Sequence, residues 1–143
     1  PLLLNANTLP GFNDSGAHIT NMAFFDGNLT SLKLAQQESL ATVSTMVRRL
    51  TSEPAAFFGL DVGSLEIGAQ ADIVLIDPEA LRQWDDNASR QFIHRDLFAH
   101  KQLVSRSDGV VSQVLIRGEP VWRDGEFTAA LGRETLGRAL RAA

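Results

Sequence analysis

Gly63-Ser64-Leu65-Glu66-Ile67-Gly68-Ala69-Gln70-Ala71-Asp72-Ile73-Val74-Leu75-Ile76-Asp77 is the run from which the rest of the chain is read. Residues 73–76 are apolar and rich in β-branched side chains, a pattern that predicts a short buried strand. Pro78, with no amide to donate, ends it. Asp72 could be mistaken for a catalytic acid, but a carboxylate just ahead of a buried strand is better read as a cap on backbone amides. Downstream, Val114-Leu115-Ile116-Arg117-Gly118-Glu119-Pro120-Val121-Trp122-Arg123-Asp124-Gly125 predicts a hairpin. Its arms are residues 110–116 and 120–127, its turn Gly118-Glu119, and Asp124-Gly125 marks a further turn. Trp122 alternates with Val121 and should pack on one sheet face.

Upstream the period changes. Residues 31–50 place Leu40, Val43, Met46, Val47 and Leu50 at helical spacing, with Leu32 and Leu34 ahead of them. Arg48 and Arg49 near the end complement the helix dipole. Thr51 then reads as an N-cap, Pro54 as a first-turn residue and Gly59 as a stop, giving a short second helix over residues 52–58. Met46 and Phe57 read as core, and residues 60–65 as a linker. A short terminal helix is expected over residues 135–141, with Leu136 and Leu140 on one side.

Residues 79–107 are the least regular. Trp84-Asp85-Asp86-Asn87 reads as an exposed loop, and the whole stretch as a surface loop lying over the β region. His94, Asp96 and His100 invite a metal reading. A six-residue separation is neither the helical i, i+4 nor the strand i, i+2 pairing that brings two imidazoles to one ion, so the loop is preferred.

Near the N-terminus, Gly11-Phe12-Asn13-Asp14-Ser15-Gly16-Ala17-His18 sets a carboxylate and an imidazole on a glycine-bounded turn. Such a turn displays acid/base or metal-binding groups at a strand mouth, or it is an Asx turn in which Asp14 caps its own backbone. Ser15 has no nearby histidine–acid pair to make it a nucleophile. Residues 21–30 read as a loop in which Phe24 and Phe25 are better taken as core anchors than as walls of a pocket.

Composition bounds the function. The chain has 143 residues, 44% hydrophobic, enough for one domain with a core. Seventeen acidic against 13 basic residues leave a formal charge of −4 with no basic run, which argues against nucleic acid as a partner. Cysteine is absent, so there is no disulfide, thiolate ligand or thiol nucleophile. No apolar run approaches a membrane span and the start lacks a basic leader, so the expectation is a cytoplasmic protein with no membrane partner. The chain opens at Pro1 without Met, which suggests a piece of a longer one.

The order of these features (an Asp-bearing turn, a Thr-Ser-Glu-Pro-Ala-Ala helix, a Gly-x-x-Ala-Asp strand and a Val-x-x-Gly hairpin) resembles the C-terminal third of amidohydrolase-superfamily enzymes. Asp14-Ser15-Gly16-Ala17-His18 makes it most similar to the N-acyl-D-amino-acid deacylase, or D-aminoacylase, group. The resemblance runs from about residue 9 to residue 132. It implies an α+β fragment. Residues 1–60 would carry the last strand and covering helices of a (β/α)8 metal-dependent hydrolase barrel, and residues 61–143 the C-terminal portion of a small β-sandwich.

The implied chemistry is metal-assisted amide hydrolysis. Zn²⁺ in the parent enzyme would polarise the substrate carbonyl and lower the pKa of a bound water. Asp14 would be the catalytic carboxylate, passing a proton from water to the leaving nitrogen, and a candidate metal ligand. Ser15, Gly16 and His18 would contact the substrate, a small N-acyl amino acid. The remaining ligands have no counterpart in this chain, so the fragment is expected to bind no zinc and to be inactive alone. Three alternatives remain. The parent could be a cyclic amidase of the dihydroorotase or hydantoinase type. The chain could instead be a non-catalytic β-rich binding module, or an assembly domain forming a homo-oligomer through unpaired strand edges.

Overall fold

The computed structural model describes residues 2–10 and 26–142. A 3₁₀ turn, Leu2–Leu4, opens the chain, and three helices follow: α1 (Gly27–Glu38), α2 (Leu40–Leu50) and α3 (Ser52–Phe57). Then come β1 (Ile73–Ile76), α4 (Pro78–Gln83), β2 (Arg90–Arg95) and β3 (His100–Ser105). The last strands are β4 (Val111–Ile116), β5 (Glu119–Arg123) and β6 (Glu126–Phe127).

The helix expected over residues 31–50 is two helices. Ser39 is extended (φ −170°, ψ 164°), and its Oγ accepts the Thr42 amide at 3.1 Å, capping α2. Serine competes for backbone amides in this way, and here the cap prevails over the apolar period. The break swings Leu40 out to 82% exposure, while Met46 is 2% exposed. Helix α1 also starts earlier than expected, at Gly27 inside the stretch read as loop.

The core gathers Leu29, Leu32 and Ala35 of α1, Met46 of α2, Leu81 of α4, and Trp84 and Val110. Leu29, Leu32 and Ala35 recur every three residues, one stripe of a helix. Trp84 corrects the loop reading: it is 8% exposed, and its Nε1 donates to the Arg106 carbonyl at 3.3 Å. Lys33 Nζ donates to the Trp84 carbonyl, tying α1 to the end of α4. Phe57, expected in the core, is 71% exposed and packs edge-on against Phe58 at 5.0 Å. The short helix α3 buries the small Ala55 instead. Thr51 precedes α3 without capping it, because its Oγ1 donates back to the Val47 carbonyl at 2.7 Å.

The larger sheet is antiparallel, in the order β1-β4-β5-β6. Arg117 (φ 52°) and Gly118 (φ 84°) turn β4 into β5, so the turn sits one residue earlier than the sequence suggests. Both residues have positive φ, as a two-residue hairpin turn of matching twist requires. Asp72 has the backbone role expected of it. Its Oδ1 accepts the Arg117 amide at 2.9 Å, and the Gly118 amide donates to the Ala71 carbonyl at 2.8 Å. The Ala-Asp pair thus clasps the hairpin turn. Strand β1 is not buried as expected: it is an edge strand, and Val74 and Leu75 are exposed. Trp122 packs edge-on against Phe127 at 5.0 Å and donates to the Val111 carbonyl at 3.2 Å.

Residues 79–107 are ordered where a surface loop was expected. Pro78 does not merely stop a strand but begins α4, with the Asp77 carboxylate accepting the Glu79 and Ala80 amides at 2.8 and 2.9 Å. Strands β2 and β3 form a second antiparallel sheet, in register from Arg90↔Ser105 to Arg95↔His100. The helix expected over residues 135–141 is not formed. The stretch is too short to nucleate alone and contains Gly137. Among the described residues no helix is long and apolar enough to cross a membrane.

Candidate active site

The residues singled out by sequence, Asp14, Ser15, Gly16 and His18, lie outside the described residues, as do Phe24 and Phe25. The structure describes the two flanks of that segment.

The upstream flank is pinned from α2. After the Leu2–Leu4 turn, the Asn5 amide donates to the Leu2 carbonyl and the Thr8 amide to the Asn5 carbonyl, both at 3.1 Å. Thr8 Oγ1 reaches the same two carbonyls at 3.0 Å. Arg49 holds this knot. Its side chain is 4% exposed, and its Nη2 donates to the Asn5 carbonyl at 3.0 Å and to the Thr8 carbonyl. Nη1 meets Glu53 Oε2 at 3.4 Å, and Glu53 Oε1 also takes Arg48 Nε at 3.0 Å. Arg49 Nε is buried without a partner among the described residues. The sequence reading gave both arginines a dipole role, but the structure separates them: Arg48 stays at the surface and Arg49 turns inward. Nothing in the Arg48-Arg49 pair distinguishes them before the fold is known.

The downstream flank is Asp26, ahead of α1. Burial pushes its carboxyl above the usual 3.8, with the negative charge of Asp86 adding to the rise and the Leu29 amide opposing it. Asp86 itself bonds Arg90 Nη2 at 2.6 Å and Ser105 Oγ at 2.9 Å, at the base of the β2–β3 hairpin. This partly buried carboxyl was not singled out by sequence, where it sits in an ordinary Asp-Gly-Asn turn signal.

The remaining titratable side chains among the described residues do not converge on one point. His94 Nε2 lies 3.5 Å from Asp96 Oδ1, with Asp96 fully exposed. His100 stands opposite Arg95 across the hairpin. Among the described residues no group of three or more His, Asp or Glu side chains is arranged to hold a metal ion. A zinc site takes at least three such protein ligands, so the described residues do not fit one by themselves.

Comparison with known proteins gives the family of the sequence. Residues 5–122 match the amidohydrolase family, a span that contains Asp14 to His18, the Ala71-Asp72 clasp and the β4–β5 hairpin up to Trp122. An uncharacterized protein of Mycobacterium bovis is 34% identical over 126 residues, 82% of this chain and 20% of that protein. A D-phenylhydantoinase of Escherichia coli is 35% identical over 106 residues, 70% of this chain and 21% of its own length. A dihydroorotase of Geotalea daltonii is 44% identical over 50 residues, 35% of this chain and 12% of its own. No solved structure matches. The chain thus spans about one fifth of the length of the Mycobacterium relative. With the family match covering the greater part of its residues, the chain belongs to the amidohydrolase family.

Proposed function

We propose that the chain is the C-terminal portion of a zinc-dependent hydrolase that cleaves the amide bond of N-acyl-D-amino acids. The observation that carries this reading is the family match across residues 5–122, with Asp14-Ser15-Gly16-Ala17-His18 inside it. Asp14 is the proton carrier: its carboxylate takes a proton from the attacking water and returns it to the nitrogen as the C–N bond breaks. Ser15, Gly16 and His18 hold the substrate. Residues 1–60 belong to the catalytic barrel and residues 61–143 to the accessory β-sandwich. Since the described residues do not build a zinc site, the other ligands are supplied from outside them.

A second reading is a cyclic amidase. The D-phenylhydantoinase and dihydroorotase relatives favour it, the former over 70% of this chain. Both reactions add water across an amide C–N bond and differ in whether that bond lies in a ring. The discriminating experiment gives the intact protein N-acetyl-D-amino acids, phenylhydantoin and dihydroorotate in parallel. Turnover of the acyclic amides alone supports the first reading, and turnover of a ring alone replaces it with the second. Activity toward none of them removes both. The isolated 143-residue chain should hydrolyse neither class, and turnover by it would overturn the fragment reading.

A further inference from the structure

We infer that the β2–β3 hairpin is an assembly arm that docks on an acidic surface of a second copy of this chain. The inference is independent of the catalytic reading. Charge singles the hairpin out. Residues 90–106 carry four basic side chains, Arg90, Arg95, Lys101 and Arg106, against one acid, Asp96. Of the chain's 13 basic and 17 acidic side chains, the rest of the sequence therefore keeps nine and 16. The hairpin is a cationic segment on an otherwise anionic chain. Two copies attract each other when the arm of one meets the body of the other, and the chain's own acidic excess supplies that surface without another molecule.

The hairpin is held at its base and projects beyond it. At the base Val104 is buried, the Arg106 amide donates to the Ser89 carbonyl at 2.9 Å, and Asp86 bonds Arg90 and Ser105. Further out, His94, Arg95, Asp96, Leu97, His100 and Lys101 are all exposed, and the two strands make their main contacts with each other. A two-stranded ribbon alone in water is marginally stable, so a projecting one gains from a second surface. The register sets Phe92 opposite Leu103 and His94 opposite Lys101, on the face that also carries Arg90. Phe92 is 68% exposed on that face, and Leu97 is 88% exposed at the tip. An aromatic anchor flanked by cations suits an acidic patch: the ring buries apolar area while the charges select the partner and its orientation. Reciprocal docking about a two-fold axis uses both arms and doubles the area buried.

The test is sedimentation velocity of the intact protein over a range of concentrations, at about 50 mM and about 500 mM NaCl. A reversible dimer is expected at the lower salt, with its Kd raised about tenfold or more at the higher. Arg95→Glu with Lys101→Glu should raise the low-salt Kd by about 100-fold, and Phe92→Ser by about tenfold or more. All three side chains are exposed, so the variants should keep the wild-type circular dichroism. Hydrogen exchange of the wild type gives a second readout: amides of residues 94–101 should exchange more slowly above the dimer Kd than below it. A protein that stays monomeric up to about 100 μM at low salt overturns the inference, as does a dimer that these substitutions leave unchanged. A monomer whose melting temperature falls with them would place the arm against its own polypeptide instead. A monomer that binds polyglutamate through the same residues would assign the arm to a different acidic partner, and either result removes the second copy. Should a variant fail to fold, the exchange measurement decides: protection of residues 94–101 that does not change with concentration refutes the arm.

Discussion

Replacing Trp84 with Ala should remove a large part of the protein's stability, although its neighbours Asp85, Asp86 and Asn87 give the stretch the composition of a surface loop. The indole is 8% exposed and clusters with Leu29, Leu32, Met46, Leu81 and Val110. Truncating a buried tryptophan to alanine costs about 3–5 kcal/mol, from lost burial plus the cavity left behind. Against a urea slope of about 2 kcal/mol per M, a loss of about 4 kcal/mol moves the unfolding midpoint down by about 2 M. Trp84→Phe keeps most of the ring but leaves the Arg106 carbonyl without the indole donor. That change should cost about 1–2 kcal/mol, the lost hydrogen bond and a small void together. Trp122, the other of the chain's two tryptophans, reports unfolding by fluorescence in both variants. The wild-type spectrum should also carry a blue-shifted component that Trp84→Ala abolishes. A midpoint shift below about 0.3 M for Trp84→Ala would place the side chain in solvent and refute the packing described for the helical layer.

Asp26→Asn should stabilise the protein at neutral pH. The folded-state pKa of Asp26 is raised above 3.8, so its favourable contribution to folding is complete below that value and is lost as pH rises through the folded pKa. Thermal melts of the two proteins should therefore diverge above that window and converge below pH 3.8; a variant less stable than wild type at pH 7 would contradict the sign. Gly63 and Gly109 both have positive φ, but only at Gly63 would a Cβ meet backbone, 2.9 Å from Thr51 C and O. Gly109→Ala should cost about 1 kcal/mol from strain alone and Gly63→Ala about 2–3 kcal/mol or more, and equal costs in denaturant titrations would contradict the close approach.

The elements legible in sequence were those whose signals are local. The β4–β5 hairpin announces itself through Gly118 and Asp124-Gly125, and the Ala71-Asp72 clasp through a carboxylate ahead of an apolar run. Residues 52–58 carried enough punctuation, in Pro54 and Gly59, to give α3 nearly to the residue. What failed depended on tertiary context. The apolar period ran through Ser39 because a serine inside a helix and a serine capping the next one look alike until the backbone turns. Phe57 and Trp84 exchanged places between core and surface because hydrophobicity alone does not say which side of a short helix faces inward. Arg49 was missed for the same reason: its acceptors are backbone carbonyls from the far end of the chain, which leave no trace in side-chain pattern. The sequence-derived site itself, Asp14 to His18, lies outside the described residues, so its standing rests on motif and family.

The most direct test of the account is the hydrolysis rate of the intact protein on N-acyl-D-amino acids, compared between wild type and Asp14→Asn. Asparagine matches the carboxylate in size but cannot carry the proton. The account predicts that kcat falls by about 10²–10⁴-fold while the variant keeps the wild-type circular dichroism and melting temperature. An Asp14→Asn protein retaining kcat within about threefold of wild type would contradict the catalytic role assigned to Asp14.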